Sequence, residues 1–399
     1  MSTINQSKNQ TDIVILGAAR TPIGSFQGSL SSVTTTELGA LALKAAIARS
    51  QIAAEQLDEV IMGCVLPAAL KQAPARQASL GAGIPESIGA TTVNKVCGSG
   101  MKAMMLAADV LRAGNAHLIA AGGMESMSNA PYLLEKARAG LRMGHQSLKD
   151  HLFLDGLEDA GTGRAMGSFA QETADQRQLS RESMDDFART SLLRAKTAQQ
   201  EGWFQAEITP VSLNSRQGTT EVSQDEQPLK ANPEKIAQLK PAFAKNGTLT
   251  AANSSSISDG AAAIILARAD ALSTTQKPLA RIVAQSTYSR APAEFTLAPI
   301  GAIQRLLERT GWSINDVDLF EINEAFAMVA MLPMLDLQIP HERMNIHGGA
   351  CALGHPIGAS GCRIVVTLLH ALRQRQLKRG IAALCIGGGE ATALAIELL

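Results

Sequence analysis

The sequence predicts an α/β protein built from two related halves that flank an inserted segment, and three observations predict it. Apolar residues make up 46% of the 399 positions, charged residues 18% and aromatic residues only 3%, so the interior must be filled largely by Ala, Val, Ile, Leu and Met. Val/Ile/Leu runs ending in small residues alternate with Ala/Leu-rich stretches of helical length, the pattern of a helix-covered sheet whose strands are buried on both faces. The chain also repeats itself. "IAAEQLDEVIMGCV" (52–65) and "WSINDVDLFEINEA" (312–325) share a polar turn, an apolar residue before Asp and an apolar strand. "CGSGMKAMMLAADVLRAGNAHLIAAGGMES" (97–126) and "GASGCRIVVTLLHALRQRQLKRGIAALCIGGGEA" (358–391) share a Gly-rich helix start, a helix, a short connection and a strand ending in glycines.

Taken in order, "DIVILGAA" (12–19) reads as a strand and "RTPIGSFQGSL" as a loop. Thr34 and Glu37 then mark the start of a helix that runs through "ELGALALKAAIARS". Residues 1–125 with 249–274 are expected to form the N-terminal half and 275–399 the C-terminal half. Residues 126–248 form an insertion with three parts: a loop-rich stretch (126–170), a helix charged on one side (180–202), and a polar stretch (214–240) expected to be an exposed excursion. Loops of that length in a compact protein are functional or mobile.

Lys plus Arg equals Asp plus Glu, 36 each, and no run of like charge is long enough for a nucleic-acid arm or a polybasic membrane anchor. "EKARAGLRMGH" (135–145) is one candidate for a local basic patch suited to a phosphorylated cofactor. The opening "MSTINQSKNQ" has no apolar signal core, no apolar run spans a bilayer, and "AIELL" is not a peroxisomal tripeptide, so a cytoplasmic protein is expected. The five cysteines, an odd number without a secretion signal, are not expected to form structural disulfides. No C-x-x-C pair and no His pair at i, i+4 spacing occurs, so no metal site is expected.

Cys97 stands just before a helix, where free N–H groups and the positive end of the macrodipole favour a thiolate. On this segment alone it is either a nucleophile or a small buried cysteine in a tight turn. His355, followed by Pro356 and enclosed by glycines, occupies a fixed loop ahead of the second repeat helix and can serve as its base. Cys385 lies on the strand running into "GGGE". Asn323 and Glu324 end the other repeat strand, where open α/β sheets collect ligands, although Asn there is equally a helix cap.

Together "VNKVCGSGMKA", "NEAFA", "GGACALGHPIGASG" and "CIGGG" resemble, in order and spacing, the active-site motifs of the thiolases. The resemblance extends over nearly the whole chain, through "GAARTPIGSFQGSL", "GGMESMSNAPYLL", "DGLEDA" and "ANSSSISDGAAA", and looks closest to the short-chain, biosynthetic type. It implies two βαβαβαββ halves in a five-layered αβαβα core with an inserted loop domain. It further implies an acyltransferase that reversibly condenses two acetyl-CoA to acetoacetyl-CoA plus CoA, by ping-pong through an acyl-cysteine. In that scheme Cys97 is the nucleophile, His355 takes its proton, and Cys385 exchanges a proton with the acetyl methyl carbon. One oxyanion hole would be made by His355 and a water held by Asn323, the other by the backbone N–H groups of Cys97 and Gly387. Ser255, Met166 and Leu157, with Ala325 and Phe326 of "NEAFA", would line the channel for CoA, which is a substrate; no tightly bound cofactor is implied. "AGLRMGH" resembles the loop through which this group forms homotetramers, as dimers of dimers.

The chain departs from the family pattern at Ala165, where short-chain relatives carry a histidine, at Ser256, Ser258 and His347, and at Glu390 and Ala391. Ala165 opens the alternative of a thiolase for longer or functionalised 3-ketoacyl-CoA. The departures together are the support for a second alternative, a thiolase-like CoA-binding scaffold without catalysis. Glu390 either raises the pKa of Cys385 through like-charge repulsion or pairs elsewhere.

Overall fold

The computed structural model describes residues 12–216 and 218–399. The polar opening, read as lacking a signal core, falls within residues 1–11 and lies outside the described residues. Strand β1 (Ile13–Arg20) is buried along its whole length. Helix α1 (Thr35–Ser50) starts at a reciprocal cap: Thr34 Oγ1 accepts from the Glu37 amide at 3.3 Å, and the Glu37 carboxylate accepts from the Thr34 amide at 2.8 Å. Then come β2 (Glu59–Gly63), α2 (Pro74–Gly81), β3 (Gly89–Val93), α3 (Ser99–Arg112) and β4 (Leu118–Ser126). The inserted segment supplies α4 (Met166–Gln176) and α5 (Arg181–Gln200), after which β5 (Ser258–Arg268) returns to the first sheet. The remainder runs β6 (Ala280–Ser289), α6 (Ala298–Thr310), β7 (Leu319–Ile322), α7 (Ala327–Asp336), α8 (Ile357–Arg375), β8 (Arg379–Ile386) and β9 (Glu390–Leu398).

The repeat seen in sequence is a repeat of topology. The orders β1-β5-β4-β2 and β6-β9-β8-β7 correspond strand for strand, with two antiparallel pairings followed by a parallel one. β1 meets β6 antiparallel, joining the two sheets edge to edge. The halves differ at the outer edge. β3 pairs in parallel with β2, but its counterpart in the second half shrinks to one bridge between Phe320 and Met344, so that half is one strand short of the expected βαβαβαββ. The repeated Asp does the same work twice: Asp58 accepts from the amides of His117 and Leu118, and Asp318 from those of Lys378 and Arg379, each pinning the start of the strand after the repeat helix.

Layering follows from which faces are apolar. α3 and α8 lie between the two sheets in one buried cluster drawn from both halves, α1 and α2 cover the far face of the first sheet, and α6 and α7 that of the second. This is the expected five-layered αβαβα arrangement. The two central helices touch backbone to backbone: a Cβ on Gly100 would sit 2.9 Å from the Cys362 amide nitrogen, and one on Gly361 2.5 Å from that of Met101. Their first turns therefore lie side by side, and both positive helix ends face the same region.

The inserted segment is more integrated than its polarity suggests. The stretch 214–240 is mostly exposed, but Asp225 is fully buried and pairs with the buried Arg20 at 2.7 Å, while Arg20 Nε donates to Glu207 at 2.6 Å. The expected exposed excursion is corrected at this point, because a buried guanidinium requires its carboxylates. The loop-rich stretch to 170 likewise ends early, since α4 begins at Met166. No helix among the described residues is long and apolar enough to cross a membrane.

Candidate active site

The loop before α3 is strained. Val96, a β-branched residue, adopts φ of 46°, in the left-handed region that such side chains avoid. Its amide donates to Asn94 Oδ1 at 2.9 Å, its carbonyl accepts from Ser99 Oγ at 2.7 Å, and that hydroxyl accepts from the Lys95 amide at 2.8 Å. These bonds fix the turn and present the partly buried Cys97 side chain to a cavity. The cavity, of about 240 Å³, is mostly apolar and lies where both halves meet the insertion.

His355 and Cys385 line the same cavity as Cys97, and so does Gly387. Gly387 begins the turn between β8 and β9. Its next two residues, Gly388 and Gly389, have φ of 90°, and a Cβ on Gly389 would lie 2.5 Å from the Arg290 carbonyl oxygen, so the turn needs glycine. The backbone N–H groups of Gly387 and Cys97 act on the Cys97 sulfur to pull its pKa down.

Sequence suggested that the helix start would lower the Cys97 pKa; the structure corrects this. Burial is the largest influence and pushes the thiol up to about 11, against the two amide donors that pull it down. Cys97 also precedes Gly98, which caps α3, and so lies a step outside the first turn. Burial raises Cys385 well above the usual thiol range, with Cys97 as the next cause. Both cysteines therefore rest as thiols, and the nucleophile needs a base when it reacts.

His355 has the geometry of that base. Its Nδ1 lies 2.5 Å from Ser360 Oγ, and the Ser360 hydroxyl donates to the Pro356 carbonyl at 2.9 Å. With its one proton so engaged, Ser360 accepts from His355 Nδ1–H, which assigns the neutral tautomer with a bare lone pair on Nε2. Nε2 is buried and has no partner among the described residues. Burial, followed by the charge of Arg363, pushes the imidazole down to about 3, so it rests neutral. The His355 amide donates to the Ser256 carbonyl at 3.1 Å, so one departure from the family pattern still holds the loop through its backbone.

The residues read as a CoA channel come together. Leu157 and Met166 from the insertion, Ser255, and Ala325 and Phe326 all line the cavity, and Ala165 lines it too. The amide and hydroxyl of Ser255 each lie 3.0 Å from the Ala325 carbonyl and donate to it, tying two of these segments together. Asn323 does not line the cavity. It is fully buried at the end of β7, and neither its Oδ1 nor its Nδ2 has a partner among the described residues. An orphaned buried amide of this kind marks a site for a water or a ligand oxygen. Glu324 does not line the cavity either: it accepts from Ser191 Oγ at 2.7 Å, Asn345 Nδ2 at 2.8 Å and the Cys351 amide at 3.1 Å, and it organises the loop leading to His355.

The departures resolve individually. Glu390 pairs with Lys95 rather than perturbing Cys385. His347 lies away from the cavity against the rings of Trp203 and Phe204, at 5.0 and 5.9 Å between centroids. None of residues 135–145 lines the cavity, so the basic patch proposed for a cofactor is not part of it. Sequence reasoning missed Ser360, although it lies in the quoted His355 motif one helical turn beyond Pro356. It also missed Glu125, whose buried carboxylate accepts from the amides of Val65 (3.0 Å), Leu66 (3.2 Å) and Gly358 (3.0 Å), anchoring the first turn of α8.

A family model described as Thiolase, N-terminal domain, matches residues 13–270, and one described as Thiolase, C-terminal domain, matches residues 276–398. A probable acetyl-CoA acetyltransferase of Dictyostelium discoideum is 48% identical over 98% of this chain and 95% of its own. A cytosolic acetyl-CoA acetyltransferase of Mus musculus is 48% identical over 96% of this chain and 98% of its own. Among solved structures, a thiolase from Ascaris suum in complex with coenzyme A has a TM-score of 0.92 at 41% identity, covering 97% of this chain and 100% of that one. The acetyl-CoA acetyltransferase of Bacillus anthracis has a TM-score of 0.95 at 39% identity, covering 98% and 99%.

Proposed function

Because the chain belongs to the thiolase family, we propose that it is an acyltransferase joining two acetyl-CoA into acetoacetyl-CoA and CoA, and running the same reaction backward as thiolysis. The observation that carries the reading is one apolar cavity lined by two thiols and by a neutral histidine whose Nε2 has no partner among the described residues.

In the first half-reaction Cys97 Sγ attacks the thioester carbon of acetyl-CoA while His355 Nε2 takes the thiol proton. The departing CoA thiolate takes its proton from Cys385, whose raised pKa makes it a thiol at rest and a strong base once ionised. In the second, the Cys385 thiolate removes a proton from the methyl carbon of a second acetyl-CoA. The carbanion attacks the acetyl group on Cys97, and the released Cys97 recovers its proton from His355. The Cys97 proton comes back from His355, and the proton taken from the methyl carbon replaces the one Cys385 gave to CoA, so both thiols are restored. Negative charge on the thioester oxygens is met by donors already in place: the N–H groups of Cys97 and Gly387 in one site, and protonated His355 with a water on Asn323 in the other. CoA runs past Leu157, Met166 and Ser255.

The resting assembly is a dimer of dimers, a reading supported by the exposed apolar side chains Leu141, Met143 and Leu148 in and just after the "AGLRMGH" loop. A cytoplasmic setting is supported by the cytosolic relative. A second reading, toward longer acyl chains, is favoured by Ala165 lining the cavity beside Phe243 and Met166. The test is CoA-dependent cleavage of acetoacetyl-CoA beside longer 3-ketoacyl-CoA substrates. Fast turnover confined to the four-carbon substrate is expected; activity only on longer chains selects the second reading, and no activity on any refutes both.

A further inference from the structure

The turn that carries the Gly387 N–H and the loop that carries Cys97 belong to different halves of the chain. Two contacts bring them close: a Cβ on Gly98 would lie 2.3 Å from Ile386 Cδ1, and one on Gly387 3.6 Å from Val96 Cγ1. Both are apolar contacts, which carry no directional preference. Across the same junction Lys95 Nζ pairs with the Glu390 carboxylate, with side chains 22% and 36% exposed.

The placement of this pair is specific. Lys95 stands two residues before Cys97, and its amide donates to Ser99 Oγ, the hydroxyl that also holds the strained Val96 carbonyl. Glu390 is the first residue of β9 and the register partner of Ile386, so it closes the turn whose first glycine lines the same cavity as Cys97. The other carboxylate oxygen of Glu390 accepts from Ser289 Oγ at 3.3 Å, and the Arg290 amide donates to the Gly389 carbonyl at 2.7 Å, which ties the turn to the end of β6. The ion pair thus bridges a turn braced by the second half and a loop braced within the first.

We propose that Lys95 and Glu390 are positioning residues for acyl transfer: their ion pair holds the Gly387 N–H in register with the Cys97 sulfur and the thioester oxygen that replaces it as acceptor. Neither residue lines the cavity, and neither touches the reacting atoms. The inference rests on the acyl-cysteine reading above. A half-exposed pair contributes little to folding, but a hole donor displaced by a fraction of an ångström loses much of its effect on the transition state.

The experiment compares wild type, Glu390→Gln, Lys95→Met and the charge-exchanged double variant K95E/E390K, measuring steady-state thiolysis, single-turnover acetylation of Cys97 by mass spectrometry, and thermal unfolding. Each single variant is expected to lower kcat and the acetylation rate about fivefold, the rate equivalent of the roughly 1 kcal/mol such a pair supplies. The KM for CoA and the unfolding midpoint should be unchanged, and the exchanged pair should recover most of the rate. Raising the salt concentration should slow wild type toward the single variants and leave those variants unaffected. Single variants that acetylate Cys97 at the wild-type rate, or a rate loss matched by a fall in the unfolding midpoint and not recovered by exchange, would overturn the proposal. Wild-type protein that forms no acetyl-Cys97 would instead overturn the acyl-cysteine reading itself, so the two failures are distinguishable.

Discussion

The turn before α3 and the turn before α8 occupy equivalent places in the two halves, yet one carries Cys97 behind a strained Val96 and the other His355 behind a glycine. The strands that follow these helices diverge in the same way. β4 ends near Glu125, whose carboxylate is satisfied by three amides, and β8 carries Cys385, whose thiol lines the cavity. The shared geometry brings two helix starts and two strand ends to one point; the unshared residues divide the work. In the first half the polar group at the strand end is spent on structure, in the second it is left free for chemistry.

The comparison makes predictions, largest effect first. Cys97→Ser removes the nucleophile and should reduce thiolysis by about a thousandfold or more, with no acetyl adduct by mass spectrometry. His355→Ala removes the base and should cost about 10²–10⁴ in kcat. In that variant, alkylation of Cys97 by iodoacetamide should climb only toward pH 11, the value to which burial pushes its thiol. Gly100→Val wedges apart the two helix starts, where a Cβ already meets backbone at 2.9 Å, and should lower stability by about 2 kcal/mol or more in denaturant unfolding. Ser360→Ala keeps the imidazole but frees its tautomer. About tenfold should be lost from kcat with KM unchanged, and Ser360→Thr should restore part of it.

A last effect is on acid stability. His355, His370 and His347 are held neutral by burial, near pKa 3, 3 and 4, against 6.5 when unfolded. Their contribution is complete above pH 6.5 and is lost as pH falls toward those values. Glu125 and Glu321, pushed up to about 7 and 8 by burial, act oppositely: their contribution is complete below 4.5 and is lost as pH rises through 7 and 8. Between 4.5 and 6.5 the two sets offset each other, and below 4.5 only the histidine loss continues. The unfolding midpoint should therefore vary little across the first window and fall steeply below it, as measured by a pH series of thermal melts.

Much of this was legible in the sequence for a physical reason: the repeat imposes the same local bonds twice. Asp58 and Asp318 could be matched by eye because each must cap the amides of the strand beside it. Cys97, His355 and Cys385 stood out because reactive side chains among glycines have few structural explanations. Ser360 went unread although its partner His355 is only five residues away; Glu125 did not stand out because its role depends on partners that only folding brings near, such as the Gly358 amide 233 positions away. The direction of the Cys97 shift was misread because a helix start is visible in sequence and the degree of burial is not. Asp225 was misread for the same reason: its partner Arg20 lies 205 residues away, and the surrounding polar stretch gave no sign of burial.

The most direct test of the central claim, that two cysteines do two jobs, is Cys385→Ser incubated with acetyl-CoA, with released CoA and protein mass followed together. The account predicts acetylation of Cys97 and one equivalent of CoA, slowed because Cys385 no longer gives its proton to the departing thiolate, with no acetoacetyl-CoA formed. Loss of acetylation along with condensation, or an acetyl group on any other residue, would contradict it.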